Sequence, residues 1–76
     1  MKLMSLMNNN FYIECGIKEV AKVIKIFINN NIDFACTNSE IKNGINFQPT
    51  SNKKLAKKLI KENFSECIKN NVLEKQ

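Results

Sequence analysis

The stretch FYIECGIKEVAKVIKIFINNNIDFACT, residues 11–37, decides the fold because the spacing of its apolar residues changes twice. Apolar and polar residues alternate over residues 11–15, which is typical of a half-buried strand. After Gly16, the apolar residues recur at helical spacing and predict an amphipathic helix that ends in the asparagines 29–31. Alternation returns over residues 32–37 and predicts a second strand. The apolar face of the helix is expected to consist of Ile17, Val20, Ala21, Ile24, Phe27 and Ile28.

The downstream residues add one strand and one helix. Turn-forming residues at 38–39 precede a third strand, which Pro49 closes because proline cannot donate to a strand ladder. Residues 50–52 are suitable helix caps, and an amphipathic helix is predicted to begin at Lys53. Its apolar stripe drifts beyond Asn63, so the helix is expected to bend or restart there.

The element order predicts an α+β fold, a single small βαββα domain. A crossover from the first strand to the second leaves room for the third between them, giving a three-stranded sheet in the order 1-3-2 with both helices on one face. The domain is expected to span residues 10–70, between a flexible N-terminal arm at 1–9 and a frayed C-terminal tail at 71–76. The strand residues expected to meet the helices are Phe11, Ile13, Cys15, Ile32, Phe34, Cys36, Ile41, Ile45 and Phe47. The core is expected to include Ile13, Ile24, Phe34, Phe47 and Leu59.

The composition argues against catalysis. None of the 76 residues is histidine, so the usual general base, the common nucleophile pairs and the commonest metal ligand are missing. Two glycines far apart in the sequence cannot form a phosphate-binding loop. The three cysteines, Cys15, Cys36 and Cys67, are too widely spaced for a typical zinc site and are expected to be reduced apolar residues. We therefore expect no enzyme, no metal site and no cofactor.

The N-terminal residues do not resemble an export signal. The apolar run from Leu3 to Met7 is short and is interrupted by Ser5, and no later stretch is long enough to span a bilayer. The sequence therefore predicts a protein of the cytoplasm, or of the host cytoplasm if it is encoded by a phage, with no membrane partner.

Positive charge is concentrated in one segment. Residues 53–61 contain five lysines and no acid, whereas the rest of the chain contains seven lysines and seven acids, so this segment accounts for the net charge of +5. One interpretation is a solvated helix face in a chain whose composition is rich in lysine and asparagine. The other is an electrostatic docking surface for phosphates or for an acidic protein. The lysines concerned are Lys53, Lys54, Lys57, Lys58 and Lys61.

Two other residues are candidate contact residues. Tyr12 is expected on the polar face of the sheet, where aromatic side chains of RNA-binding sheets stack on bases. Ile26 falls among the polar residues of the first helix and is a candidate for a contact surface. The two unpaired sheet edges and the apolar N-terminal segment favour a homodimer.

The sequence favours an interaction protein over an enzyme. By class alone, the chain resembles the small proteins that phages and mobile elements use to block host machinery. The first hypothesis is a stoichiometric inhibitor or adapter that binds an acidic protein surface or a nucleoprotein complex, such as a CRISPR effector. The alternative is a small RNA- or DNA-binding module that uses the lysines without base specificity. An orphan subunit of a metabolic complex is a third possibility.

Overall fold

The computed structural model describes residues 1–7, 10–40 and 44–65. Its elements are β1 (Lys2–Ser5), β2 (Phe11–Gly16), α1 (Ile17–Asn29), β3 (Phe34–Asn38), β4 (Gly44–Pro49) and α2 (Lys53–Asn63). The α+β class is confirmed, and all five predicted elements are present together with one additional strand. Ile41, residues 66–70 of the predicted domain and the predicted tail at 71–76 lie outside the described residues.

The four strands form one antiparallel sheet in the order β1-β2-β4-β3. The three predicted strands correspond to β2, β3 and β4, and their predicted order 1-3-2 is the observed order β2-β4-β3. Phe47 on β4 lies opposite Ile13 on one side and opposite Cys36 on the other. Leu3 lies opposite Ile13, so one row of apolar residues crosses all four strands.

The predicted number of three strands is wrong, because part of the segment expected to be a flexible arm forms β1. Leu3 is only 2% exposed, whereas its neighbour Lys2 is exposed. A strand of four residues shows too few alternations to be distinguished from the methionine-rich residues around it. Pairing with β2 is what defines this strand.

Local interactions determine where the helices begin and end. The backbone N–H of Gly16 donates to Oε1 of Glu19 at 3.0 Å, which anchors the first turn of α1. After α1 ends at Asn29, Asn31 adopts the left-handed conformation with φ of 56°, as asparagine readily does. Asn52, which precedes α2, is also left-handed at φ of 46°, and its side chain makes no capping hydrogen bond. The predicted start of α2 at Lys53 and the predicted end of α1 in residues 29–31 agree with the structure, whereas most of the predicted continuation of α2 beyond Asn63 lies outside the described residues.

Both helices pack on the same face of the sheet around one core. Phe27, Phe34 and Phe47 contact one another with ring centroids 5.3 to 6.4 Å apart. Among the residues predicted for the core, Ile13 and Phe47 are buried, whereas Ile24, Phe34 and Leu59 are half-buried and pack against it. The buried hydrophobic residues are Leu3, Phe11, Ile13, Cys15, Val23, Phe27, Ile32, Phe47, Ala56, Ile60 and Phe64.

The buried face of α1 is rotated about the helix axis relative to the predicted one. Val23 and Phe27 are its buried residues, although Val23 is not part of the predicted face. Ile17 and Ile28, which the sequence assigns to the core, are 70% and 62% exposed. Because α1 has more apolar residues than one face can hold, its pattern fits two orientations, and packing against the sheet selects one. Cys36 is also exposed, because it lies on the edge strand β3.

The thiols of Cys15 and Cys36 are in opposite environments. Cys15 is fully buried, and this burial, reinforced by the negative charge of Glu19, raises the pKa of its thiol to about 12. Because the thiolate is the reactive form, iodoacetamide at mildly alkaline pH is expected to alkylate Cys36 in the folded protein and Cys15 only after unfolding. Peptide mapping by mass spectrometry measures each site separately. Equal labelling of the two cysteines in the folded protein would contradict this arrangement.

Candidate interaction surface

The five lysines of α2 do not form one continuous exposed face. Lys53 Nζ donates a hydrogen bond to Oδ1 of Asn10. Lys57 Nζ donates to Oγ of Ser5 at 3.3 Å and lies 5.8 Å from the centre of the Phe11 ring. Both lysines are half-buried. They connect α2 to the β1–β2 hairpin and so contribute to the packing of the domain.

The other lysines of α2 are exposed and belong to a larger surface. Their spacing of four and three residues places them in one row on the helix. Helix α1 carries a second exposed row with the same spacing, and Lys22 Nζ donates to the backbone oxygen of Asn63 at 3.3 Å, which connects the two rows. We call the two rows together the helical lysine surface: Lys18, Lys22, Lys25, Lys54, Lys58 and Lys61.

Few acidic side chains offset the positive charge of this surface. Helix α2 contains one acid, Glu62, which is exposed. Helix α1 also contains one, Glu19, whose carboxylate accepts the Gly16 N–H and lies 3.4 Å from the ammonium group of Met1. The side of the domain formed by the two helices is therefore strongly positive.

Sequence reasoning identified the lysines of α2 and missed those of α1. Lys18, Lys22 and Lys25 do lie on the polar side of the predicted first helix, and their regular spacing was the available signal. In the sequence they are balanced by acids elsewhere outside residues 53–61, so a count of charge along the chain does not single them out. Only the placement of both helices on one face of the sheet brings the two rows together.

Tyr12 lies on the opposite face of the sheet. It is half-buried and lines a shallow depression of about 170 Å³ together with Ala35, Thr37, Asn46 and Gln48. Oδ1 of Asn46 is buried and has no hydrogen-bond partner among the described residues. The sheet separates Tyr12 from the helical lysine surface, so a short ligand segment cannot contact both.

Ile26 is not as exposed as the sequence suggests. It is half-buried and packs against the core, and its carbonyl accepts a hydrogen bond of 2.8 Å from Nδ2 of Asn30. The strongly exposed isoleucines of α1 are Ile17 and Ile28. Its surroundings therefore give Ile26 a packing role, and its role in partner binding stays a prediction.

Within residues 1–7, 10–40 and 44–65, no group of three cysteine or acidic side chains is placed to hold a metal ion. On the polar sheet face, Ser39 Oγ donates to Oε2 of Glu14 at 2.6 Å. Neither described helix has the length and apolarity needed to cross a lipid bilayer. The clearest chemical property of this part of the chain is the positive charge of the helical lysine surface.

Comparisons with known proteins do not assign the chain to a family. No protein-family model, no curated protein and no solved structure matches it.

Proposed function

We propose that this protein is a non-enzymatic inhibitor or adapter that binds an acidic surface of a larger protein or nucleoprotein complex. The observation that supports the proposal is the pair of exposed lysine rows on α1 and α2, with a single exposed acid, Glu62, on those helices. Small stoichiometric binders of this kind are what phages and mobile elements direct against host machinery in the cytoplasm, a CRISPR effector being one example.

The lysine rows, apart from Lys22, are a feature that folding does not require. Lys18 and Lys22, like Lys54 and Lys58, are separated by four residues, a spacing at which like charges repel by a few tenths of a kcal/mol per pair. Lys22 also lies 4.8 Å from the centre of the buried Phe64 ring, but the other exposed lysines add little to the core, so packing does not compensate for their repulsion. An anionic partner surface offsets it on binding and accelerates association by electrostatic steering.

A nucleic acid is the alternative partner, since lysines neutralise phosphates whatever the base sequence. Two observations favour an acidic protein. The basic residues are all lysine, whereas arginine is the usual choice for bidentate contacts to phosphates and bases. In addition, Tyr12 lies on the other face of the sheet from the lysines. One short segment of nucleic acid therefore cannot stack a base on Tyr12 and bind its phosphates to the lysines at the same time.

Changing Lys54, Lys58 and Lys61 together to Glu is expected to slow association with the partner at least about tenfold at low salt. The fold should be retained because all three side chains are exposed. Lys57 is left unchanged because it contacts Ser5 and Phe11. The partner is first captured with the parent chain from a lysate of the cells in which it acts. Association rates are then measured by surface plasmon resonance at low and high salt.

The control variant is Lys2→Glu, which makes one such Lys→Glu change at an exposed position outside the helical lysine surface and is compared with Lys58→Glu alone. Its association rate should remain close to that of the parent. Parental association of the triple variant would disprove the proposal. A chain that captures no protein partner, but shifts a generic DNA duplex with an affinity that falls steeply with salt, would establish the nucleic-acid alternative.

A further inference from the structure

A strip of apolar surface lies uncovered beside the helical lysine surface. Successive residues of an α-helix are rotated by about 100°, so residues spaced at i, i+4, i+7 and i+11 fall within an arc of about 60°. Ile17 and Ile28, at the two ends of this strip, are 70% and 62% exposed. We call the strip the apolar stripe: Ile17, Ala21, Ile24 and Ile28.

The apolar stripe is on the β3 side of α1. The helix packs on β2 and β4, and its buried residues Val23 and Phe27 face them. On one flank of this buried face, Glu19 contacts the ammonium group of Met1, which adjoins β1. The apolar stripe lies on the other flank, and β3 is at the opposite edge of the sheet from β1.

Strand β3 forms a ledge below the apolar stripe. Cys36 and Asn38 share with Phe34 the face of the sheet that carries the helices, yet both are exposed. An open depression of about 390 Å³ lies here, and its described lining is Cys36, Thr37, Asn38 and Ile45. Helix α2 lies on the β1 side, where Lys57 reaches Ser5. The described elements therefore leave the position beside α1 and above β3 open.

The neighbouring charges indicate what fits this position. Lys18 and Lys25 are exposed along the solvent side of the apolar stripe, whereas the exposed acids Asp33 and Glu40 precede and follow β3 in the chain. A helix with an apolar face and with carboxylates on the flank that faces Lys18 and Lys25 would match these charges. A second copy of this chain would instead place its own α1 lysines beside Lys18 and Lys25, and each chain already carries a net charge of +5.

We propose that the apolar stripe and the β3 ledge bind an acidic amphipathic helix presented by the partner protein. The inference rests on the proposed function. It adds to the interface the buried apolar contact that lysines cannot provide. Lysine is depleted from the buried centre of interfaces, where a few apolar or aromatic anchors contribute most of the binding free energy. Ile17 and Ile28 are such anchors, while the helical lysine surface steers the encounter.

A synthetic helix tests this surface before the partner is known. The probe is a capped peptide of about four helical turns, with leucines on one face, glutamates on the flank that would face the α1 lysines and alanines elsewhere. Its binding to the full-length protein is followed by the NMR shifts of the isoleucine δ1 methyl groups. Shifts are expected at Ile17 and Ile28, with little change at the buried Ile13 and Ile60.

Variants of the protein and of the peptide make the result specific. The double substitution I17Q/I28Q should weaken peptide binding at least about tenfold, since it removes both exposed anchors. The matched pair L6Q/L55Q changes exposed leucines elsewhere and should leave the affinity unchanged. A peptide with lysines in place of the glutamates should bind at least about tenfold more weakly, as should one whose leucines are spread around the helix.

Several outcomes would overturn the inference. One is that the peptide whose leucines are spread around the helix binds as tightly as the amphipathic peptide. The others are shifts confined to other methyl groups and the absence of any shift at millimolar peptide concentration. Contacts in nuclear Overhauser spectra between Ile17 or Ile28 and residues 66–76 would assign the surface to the chain's own C-terminal segment. Shifts that change with protein concentration alone would assign it to a second copy. None of these measurements uses the captured partner, so their failure is distinguishable from failure of the lysine-variant test.

Discussion

Replacing Phe47 with Ala is expected to lower the free energy of unfolding by about 3 to 5 kcal/mol. Phe47 is 1% exposed and lies on the inner strand β4, and its ring contacts those of Phe27 and Phe34. Strands on both sides and α1 above hold the surrounding backbone in place, so the cavity cannot close by a local shift. A domain of this size has a total stability of only about 4 to 11 kcal/mol, so the variant should lose a large share of it. Urea denaturation followed by circular dichroism measures the loss.

Phe34→Ala is the matched control for this prediction. Its ring belongs to the same aromatic group, but the residue is half-buried on the edge strand β3, so less apolar area is lost and the site can relax. We expect the loss to be about half that of Phe47→Ala or less. Near-parental stability of both variants, or an equal loss from both, would contradict the placement of Phe47 in the inner row.

Leu3→Asp is expected to lower the free energy of unfolding by at least about 3 kcal/mol, because it combines the loss of a buried leucine with the burial of a carboxylate. Leu3 is 2% exposed and lies opposite Ile13. The result distinguishes β1 from a flexible arm, in which the same change would have little effect. Urea denaturation measures the loss, and amide hydrogen exchange in β1 and β2 shows whether their pairing is lost.

Leu6→Asp is the control for Leu3→Asp. Leu6 follows β1 and is 48% exposed, so the same chemical change there should alter the stability by less than about 0.5 kcal/mol. Equal stability of the two variants would mean that Leu3 is not buried in solution.

The elements that could be predicted from the sequence are those in which one period continues over several residues. The alternation of residues 11–15 and the spacing of apolar residues after Gly16 are sufficient to place β2 and α1. Strand β1 could not be predicted in this way, because its four residues become a strand only through pairing with β2. The rotation of α1 that buries Val23 depends on the sheet beneath the helix, and a periodic pattern contains no information about that contact.

The candidate surface could be predicted only in part for a related reason. The cluster in residues 53–61 is visible in the sequence, but the structure separates Lys53 and Lys57, which contact the β1–β2 hairpin, from the exposed lysines. The lysines of α1 join this surface through the side-by-side packing of two helices that are distant in the chain. The exposure of Ile17 and Ile28 likewise follows from the tertiary arrangement.

The strand order has a consequence for how the domain is assembled. Read along the chain, β1, β2 and α1 form one hairpin-plus-helix half, and β3, β4 and α2 form a second half of the same kind. The order β1-β2-β4-β3 places the inner strands β2 and β4 side by side where the two halves meet. Within each half, the paired strands are close in sequence, so closing the loop between them costs little conformational entropy. The β2–β4 pair is the sole strand pairing between the described parts of the halves, so their cooperativity depends on this ladder and the core above it.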